Sequence, residues 1–323
     1  MKFWATAFLL LLLLGPGHFA FGQSYPNKPI RLIVPGGAGS PLDISARLVT
    51  QNWAPLLGQQ FIVDNRPAVS GLLGSDVVAK SAPDGYTLLW GNVGPLAIAP
   101  GLYKKMPYDV FRDFAPISQV TALPFVVYVS NSLPVNSVKE LVEYAKAHPG
   151  KLNYAAQTGG GLHLTAELFR TIAGIDIVHV AYKNNDQALP DIVAGKIHLI
   201  CYTIPSFLQH VRTGRVKALV IASANRFSSL PQVPTSAEVG MPAFQSSSWH
   251  GLVAPARIPQ EIIGKLHRTL VTVLASPDLR EQFVSQGAET VGNSPQEFAR
   301  FMRADVERWR GVIKTSGIKV DVY

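Results

Sequence analysis

Short apolar runs alternate with amphipathic segments along most of the chain, which is the pattern of alternating strands and helices. The runs IRLIV, QFIVD and YTLLWG predict strands near the N-terminus. The segment DISARLVTQNWAPLL predicts a helix, because Ile44, Leu48 and Trp53 recur near helical spacing. Further strands are predicted at PFVVYV, LNYAA, IDIVHVAY, KIHLICY and VKALVIAS, and further helices at SVKELVEYAKAH, LHLTAELFRTIAG, QALPDIVAG and SFLQHVRTG. Short helices between apolar strands indicate an α/β fold of parallel βαβ units with both sheet faces covered.

The pattern changes after residue 255, where three amphipathic helices are predicted in succession. Each follows a proline or a Ser-Pro pair, which are common at helix starts. With 323 residues, the chain is long enough for two domains with sizeable cores. The stretches WGNVGPLAIAPGLYKKMPYD and MPAFQSSSWHG flank the middle third, so we expect the chain to cross between two lobes there.

Composition excludes several classes of protein. Apolar residues make up 47% of the chain and charged residues 15%, as in globular proteins. The formal net charge is +8, but the 29 basic residues are scattered and form no run interleaved with aromatic residues. We therefore expect no nucleic acid partner, and we interpret the charge as a mild attraction for anions. Cys201 is the one cysteine of the sequence, so no internal disulfide can form.

The N-terminal segment has the organisation of a signal peptide. Lys2 is followed by the short apolar run Phe8 to Leu14, and Ala20 and Gly22 supply small residues for cleavage. The apolar run is shorter than the roughly 20 residues that span a bilayer. We predict a signal peptide at residues 1–22 and a periplasmic location, with a retained membrane anchor as the alternative.

A glycine-rich loop joins the first predicted strand to the first predicted helix, in the stretch PGGAGSPLD. At such a position, α/β proteins hold anions on the free backbone N–H groups of the helix start. Asp43 is placed to cap the helix. An ordinary strand–turn–helix connection is the alternative, and the spacing fits neither a P-loop nor a dinucleotide fingerprint. The candidate ligand-binding residues in this loop are Gly36, Gly37, Ala38, Gly39, Ser40 and Asp43.

A second loop with the same arrangement lies in LNYAAQTGGGLHLTAELF, again between a strand and a helix. If the two lobes face each other, a small anion would be held between two helix N-termini. His163 begins the second helix, where a capping or packing role competes with a role as general base. The candidate ligand-binding residues here are Thr158, Gly159, Gly160, Gly161 and His163.

The sequence offers no catalytic or metal-binding motif. It contains neither a Gly-x-Ser-x-Gly elbow nor a His-Glu-x-x-His motif, and its eight histidines lack ligand spacing. We therefore predict that the protein is not an enzyme and holds no metal ion or cofactor. Trp249 in SSSWHGLVAP is a candidate for the wall of a cleft, with packing against the sheet as an equal alternative.

The order of short motifs along the chain resembles the substrate-binding proteins of tripartite tricarboxylate transporters, also called Bug receptors. The motifs include YPNKPIRLIVP, DISAR, LGQQFIVDNRP, DGYTLL, AYKNNDQAL, LPQVPTSAEVGMP and WHGLVAPARIP. The resemblance implies an α/β, two-lobed periplasmic binding protein fold, type II-like, with a ligand cleft between the lobes. We place the first lobe at residues 25–123 plus 246–323 and the second lobe at residues 124–245.

The resemblance also implies a ligand and partners. Members of the family hold a small carboxylate on backbone amides and ordered waters, and they deliver it to membrane transporter subunits. We accordingly expect a monomeric receptor for a small organic carboxylate, with Lys183, Asn184 and Tyr202 as further candidate ligand-binding residues. Lys183 competes with the backbone amides for the carboxylate, and a solvated loop lysine is its alternative role. Many members carry Phe-Asp where this chain has Cys201-Tyr202, and that Asp could pair with an amino group of a ligand. Its absence here disfavours an amino-acid ligand.

Two other functions stay open at this point. A receptor that reports ligand occupancy to a membrane signalling partner would have the same sequence features. A secreted α/β enzyme would need a nucleophile, an acid–base pair or a metal site, and we can assemble none of these from the sequence.

Overall fold

The computed structural model describes residues 25–67, 71–182 and 185–318, and within these ranges the chain forms ten strands and ten α-helices. The strands are β1 (Ile30–Val34), β2 (Phe61–Asn65), β3 (Thr87–Asn92), β4 (Phe114–Ser130), β5 (Leu152–Ala156), β6 (Ile177–Ala181), β7 (Leu199–Thr203), β8 (Val216–Ile221), β9 (Ser247–Pro255) and β10 (Glu289–Thr290). The α-helices are α1 (Pro41–Leu57), α2 (Leu72–Ala79), α3 (Ala99–Leu102), α4 (Val138–Ala147), α5 (Gly161–Ala173), α6 (Ala188–Val193), α7 (Ile204–Arg212), α8 (Gln260–Leu274), α9 (Pro277–Ser285) and α10 (Pro295–Ser316). A π-helical turn at Gly94–Ile98 precedes α3, and a 3₁₀ turn at Asn185–Gln187 precedes α6.

One mixed sheet runs through the described chain in the strand order β2-β1-β3-β9-β4-β7-β5-β6, and β8 and β10 also pair with β4. β1 is parallel to β2 and β3, and β5 is parallel to β6 and β7. β4 is antiparallel to β7, β8, β9 and β10, and β9 is antiparallel to β3. The prediction of an α/β fold is therefore confirmed. The expectation of parallel pairing throughout is right at both ends of the sheet and wrong at its centre.

The sequence pattern misses the first part of β4 and all of β9. The predicted strand PFVVYV covers only the second part of β4, which is 17 residues long. The first part, FAPISQVTAL, mixes polar residues and a proline with apolar ones, and its register with β9 shifts between Pro116 and Ser118 and between Gln119 and Thr121. These irregularities break the period-two pattern by which a strand is recognised. β9 begins with the polar Ser247 and Ser248, which read as a linker in the sequence.

Two groups of helices cover opposite faces of the first half of the sheet. Leu252 and Ala254 of β9 pack in the buried cluster of α1 and α8, where Trp53 Nε1 donates a hydrogen bond to Thr269 Oγ1 at 2.8 Å. Val253, which lies between them, packs in the cluster of α10. This alternation follows from the period of two residues along a strand. The row of α10 that packs against the sheet is Phe298, Met302, Val306 and Trp309.

The long strand β4 changes its partners at its midpoint. Residues up to Pro124 pair with β9, and residues from Phe125 onward pair with β7 and β8. The change falls at the boundary between the two lobes that we expect from the sequence. The division into residues 25–123 plus 246–323 and residues 124–245 stays a prediction.

None of the helices in the described part of the chain is long and apolar enough to cross a membrane. The predicted signal peptide, residues 1–22, lies outside the described residues.

We predict that Gly251→Ala destabilises the protein by about 1–3 kcal/mol, because a core without free space responds to an added methyl by distortion. A Cβ at Gly251 would overlap the ring of Phe298, which is fully buried in α10. The same substitution at Gly311, an exposed position of α10 with open space around it, is the control. It should stabilise the helix by up to about 1 kcal/mol. Urea unfolding of both variants measures the difference, and equal stabilities would contradict the tight contact of β9 with α10.

Candidate functional site

A cavity of about 840 Å³, which we call the cleft, opens where the starts of α1, α5 and α7 face the middle of β4. The predicted first lobe contributes Pro41, Ile44, Ser45, Thr121, Leu123, Ser248 and His250 to its wall, among others. The predicted second lobe contributes Phe125, Gly161, Leu162, Asn185, Tyr202, Thr203, Pro205 and Ser206. Both glycine-loop helices therefore direct their N-termini to one cavity, as the sequence predicts.

The described wall of the cleft is more apolar than polar, and its polar groups include no ionised side chain. Among the described residues that line it there is no Asp, Glu, Lys or Arg. Burial lowers the pKa of His250 to about 4, so this ring is neutral at pH 7. The remaining polar groups are hydroxyls, the side-chain amides of Asn185 and Gln286, and backbone groups. Such a wall can hold a solute by hydrogen bonds. Within the described chain, no three His, Cys, Asp or Glu side chains gather in an arrangement that could hold a metal ion.

Ser40, and not Asp43, caps α1. Ser40 Oγ accepts a hydrogen bond from the Asp43 N–H at 3.3 Å. The Asp43 carboxylate reaches back and accepts from the Gly39 N–H at 2.9 Å. The prediction that Asp43 caps the helix on later amides is therefore wrong. The helix begins at Pro41, and only a side chain ahead of the first turn can reach the free N–H groups of that turn.

The first glycine loop is held as a structural turn. Asp43 accepts hydrogen bonds from Arg47 Nε at 2.9 Å and Asn65 Nδ2 at 3.0 Å, which tie the loop to β2. Burial raises the pKa of Asp43, but the hydrogen bonds from Arg47, Gly39 and Asn65 outweigh this effect and hold the pKa below its usual value. The Ser40 N–H donates to Gly37 O within the loop. None of the described residues 36–40 lines the cleft, and the Asp43 side chain faces the loop.

Two backbone amides of the second loop are already hydrogen-bonded to nearby groups of the same segment. The Gly159 N–H donates to His163 Nδ1 at 3.0 Å, and the Gly160 N–H donates to Gln157 O at 3.2 Å. Gly161 is the first residue of α5, so the N–H groups of Gly161 and Leu162 have no acceptor within the helix. Both residues line the cleft. Of the three glycines that the sequence singles out here, only Gly161 can offer its amide to a ligand.

His163 stabilises the second loop through its hydrogen bond with the Gly159 amide. Its ring is buried and stacks on His179, with centroids 3.9 Å apart and an interplanar angle of 16°. Burial, and the neighbouring His179, lower the pKa of His163 to about 4. The ring accepts from the Gly159 amide and does not reach the wall of the cleft within the described chain, which supports the structural alternative that the sequence left open.

The other predicted residues divide into three groups. Tyr202 lines the cleft at the end of β7. Thr158 is exposed and does not reach the described wall of the cleft. Lys183 and Asn184 lie outside the described residues.

Trp249 faces away from the cleft. Its side chain is fully buried, and its Nε1 donates to Asp305 Oδ2 of α10 at 2.8 Å. Because successive residues of a strand point to opposite faces, its neighbours Ser248 and His250 line the cleft instead. The assignment of Trp249 to the cleft wall is therefore wrong, and the alternative of packing holds.

Several residues of the cleft wall are not predicted from the sequence. The start of α7 supplies Thr203, Pro205 and Ser206, and only the proline at the second helical position hints at this in the sequence. Ser45 lies one turn inside α1, and Thr121 lies in the part of β4 that the sequence pattern misses.

A second cavity of about 1030 Å³ lies on the other side of the predicted second lobe, between α4, α7 and β8. Its wall mixes apolar residues with charges of both signs, such as Lys139, Glu143 and Lys217. None of the described candidate residues from the sequence lies there. The smaller cleft, to which the helix starts converge, is therefore the better candidate site.

A sequence model described as "Tripartite tricarboxylate transporter family receptor", TctC, matches residues 45–318. Protein BugT of Bordetella pertussis is 36% identical over 300 residues, which cover 92% of this chain and 92% of BugT.

Solved structures give the same result. A protein from R. palustris, solved with adipate, has a TM-score of 0.76 and 35% identity, covering 91% of this chain and 99% of that chain. MatC from Rhodopseudomonas palustris, solved with bound malate, has a TM-score of 0.72 and 31% identity, covering 90% of this chain and 100% of that chain. The chain therefore has the fold of the periplasmic binding proteins that these structures represent.

We predict that the protein loses stability as the pH falls from about 6.5 to about 4, in part because of His163. With its pKa lowered to about 4, native His163 stays neutral in this window, while the unfolded chain binds a proton there. The free energy of unfolding should fall by about 3 kcal/mol from this residue, at ~1.4 kcal/mol per pKa unit. Asn keeps an acceptor near the position of Nδ1, so His163→Asn should remove most of this loss.

Denaturant unfolding at pH 7 and at pH 4 measures this effect. The matched control is His148→Asn, at an exposed histidine. An unchanged pH dependence in His163→Asn would contradict a buried, neutral His163.

Proposed function

The chain belongs to the tripartite tricarboxylate transporter receptor family, and from that premise we propose that it is a periplasmic receptor for a small organic carboxylate. On this proposal, the ligand binds in the cleft, the two lobes close around it, and the loaded receptor delivers it to membrane transporter subunits. Closure requires that the ligand binds the closed state more tightly than the open one. The receptor acts as a monomer and reaches the periplasm through the signal peptide predicted at residues 1–22.

The observation that carries the proposal is a set of neutral hydrogen-bond donors in a described cleft wall that carries no ionised side chain. A carboxylate is an acceptor with two oxygens, and N–H and O–H donors form charge-assisted hydrogen bonds with it that are stronger than those between neutral groups. The amides of Gly161 and Leu162, which have no acceptor among the described residues, lie at the start of α5, where the helix dipole also favours a negative charge. The absence of acidic side chains from the described wall means that no charge there repels an anion.

The three helix starts differ in what they can donate. α1 begins with Pro41, and α7 carries Pro205 at its second position, so each lacks one N–H group in its first turn. α5 has no proline there. This difference supports α5 as the main amide site for the carboxylate, with hydroxyls such as Thr203 and Ser206 of α7 beside it.

The relatives support a carboxylate as the ligand class. One structural relative was solved with adipate and another with malate, and both of these ligands are dicarboxylates. The net charge of +8 adds a general attraction for anions outside the cleft.

We predict that small organic carboxylates stabilise the protein and that the protein does not convert them chemically. A panel of dicarboxylates, tricarboxylates and aromatic acids, with adipate and malate included, is screened by thermal unfolding. A ligand at about 100 times its Kd should add about 2.7 kcal/mol to the free energy of unfolding. Mass spectrometry of the incubated ligand should return it intact. Steady product formation would overturn the receptor proposal in favour of a secreted enzyme.

We predict that Gly161→Pro weakens carboxylate binding about ten- to a hundredfold, because it deletes one N–H group, and a hydrogen bond to a charged group contributes roughly 1.5–3 kcal/mol. Proline is favoured at the first helical position, and Gly160 already has the extended backbone that precedes proline, with φ −80° and ψ 167°. Gly161→Ala is the matched control, since a Cβ there would lie 3.7 Å from Ile98 Cδ1 and the amide is kept.

Isothermal titration of the folded variants decides between the amide and a salt bridge. Lys183→Ala is titrated beside them. Normal binding by Gly161→Pro together with lost binding by Lys183→Ala would overturn the amide model and place the carboxylate on the lysine.

A further inference from the structure

Three polar residues form a row across adjacent strands, and two of them, Thr121 and His250, lie in the wall of the cleft. His250 of β9 pairs with Thr121 of β4 on one side and with Asn92 of β3 on the other. Residues directly opposite each other on neighbouring strands point to the same face of a sheet. Thr121 is 0% exposed and His250 is 5% exposed, and both line the cleft.

Each member of this row has a polar atom without a partner. Thr121 Oγ1 and Asn92 Oδ1 are buried and form no hydrogen bond with any described residue. His250 bonds through Nδ1 to Ser45, and its Nε2 has no partner among the described residues. Buried polar atoms are nearly always satisfied, so the unpaired Thr121 Oγ1 in the wall of the cleft marks a position at which a bound group can form a hydrogen bond.

Ser45 fixes the protonation of His250. Ser45 Oγ lies 2.9 Å from Leu42 O, 3.1 Å from Trp90 Nε1 and 2.9 Å from His250 Nδ1. Leu42 O can only accept and the indole N–H can only donate, so the single hydroxyl proton of Ser45 goes to Leu42 O. His250 must then donate from Nδ1 for all three contacts to be hydrogen bonds. The neutral ring therefore presents a bare Nε2, which is an acceptor.

A bare Nε2 selects between ligand groups. An ionised carboxylate has no proton to donate to it, and its charge would face the nitrogen lone pair. A hydroxyl group can donate to Nε2 and accept from Thr121 Oγ1, which satisfies both atoms at once. No Lys or Arg in the described wall of the cleft could offset a second negative charge here. Burial lowers the pKa of His250 to about 4, which keeps the ring neutral at pH 7.

The distance between the row and the amides of α5 is one that a small ligand can span. Thr121, Leu123 and Phe125 follow one another along one face of β4 and all line the cleft. A Cβ at Gly161 would lie 3.8 Å from Phe125 Cζ. Four residues along a strand span roughly 13 Å, and the side chains at both ends shorten that gap. A short carbon chain can therefore join a carboxylate at α5 to a second group at the row.

We infer that Thr121 and His250 form a second subsite of the cleft, one that takes an uncharged hydroxyl group at the far end of the ligand, and that the preferred ligand is a hydroxy monocarboxylate. The inference rests on the proposed carboxylate receptor function. It names which class of carboxylate the site prefers over a dicarboxylate.

The test compares ligands that differ only at the far end. Terminal hydroxy acids and dicarboxylates of four to eight carbons are titrated by calorimetry at pH 7.5. We expect the hydroxy acid to bind at least about tenfold more tightly than the dicarboxylate of equal length, at the length that binds best. Thr121→Val, which keeps the shape of the side chain and removes its hydroxyl, should erase about tenfold of that preference. Thr50→Val, in α1 and away from the cleft, should leave it intact.

A nitrogen-15 spectrum of the histidines gives an independent readout. His250 should appear with its proton on Nδ1, and its Nε2 signal should move when a hydroxy acid binds. Ser45→Ala should release the ring from that single tautomer.

The outcomes separate the two proposals. If dicarboxylates bind as tightly as hydroxy acids, or if Thr121→Val leaves the ratio unchanged, the second subsite is wrong and the receptor proposal stands. If no carboxylate of the panel binds, the receptor proposal falls and the subsite falls with it.

Discussion

The backbone ladder of β4 is the interaction on which the rest of the structure depends. Its first part pairs with β9 and its second part with β7 and β8, so one strand belongs to both halves of the sheet. The change of partner leaves Thr121, Leu123 and Phe125 facing the cleft. Because β4 lines the cleft and pairs with strands on both of its sides, it sets where the three helix starts meet.

The glycine loops separate two uses of glycine that a sequence cannot distinguish. Gly39 and Gly159 have φ angles of 76° and 78°, so they are needed for the turns, and their N–H groups are bonded within the loops. Gly161 has no such backbone requirement, and it is the glycine that lines the cleft. Glycine content thus located the loops correctly and overstated how many amides they offer.

The sequence predicts most helices and the outer strands, because their patterns are local. It fails where the outcome depends on pairing. Trp249 and His250 are adjacent, and only the register of β9 with β4 and β3 decides which of them faces the cleft. In the same way, Ser40 and not Asp43 caps α1, because the helix begins at Pro41 and Ser40 is the residue before it. A shift of one residue exchanges the two faces of a strand, so a site on a strand cannot be assigned before the register is known.

The protein is positively charged, while the described wall of its cleft carries no charged side chain, so long-range attraction and recognition of the ligand rest on different groups. The net charge of +8 acts at long range, but salt screens it beyond about 8 Å at physiological ionic strength. Inside the cleft, binding then rests on short-range hydrogen bonds, which depend on distance and angle and so discriminate between ligand shapes. If a buried salt bridge held the carboxylate, the affinity would depend less on the rest of the ligand. If the ligand binds as proposed, neutral donors at one end and neutral polar groups at the other make its affinity depend on its whole length.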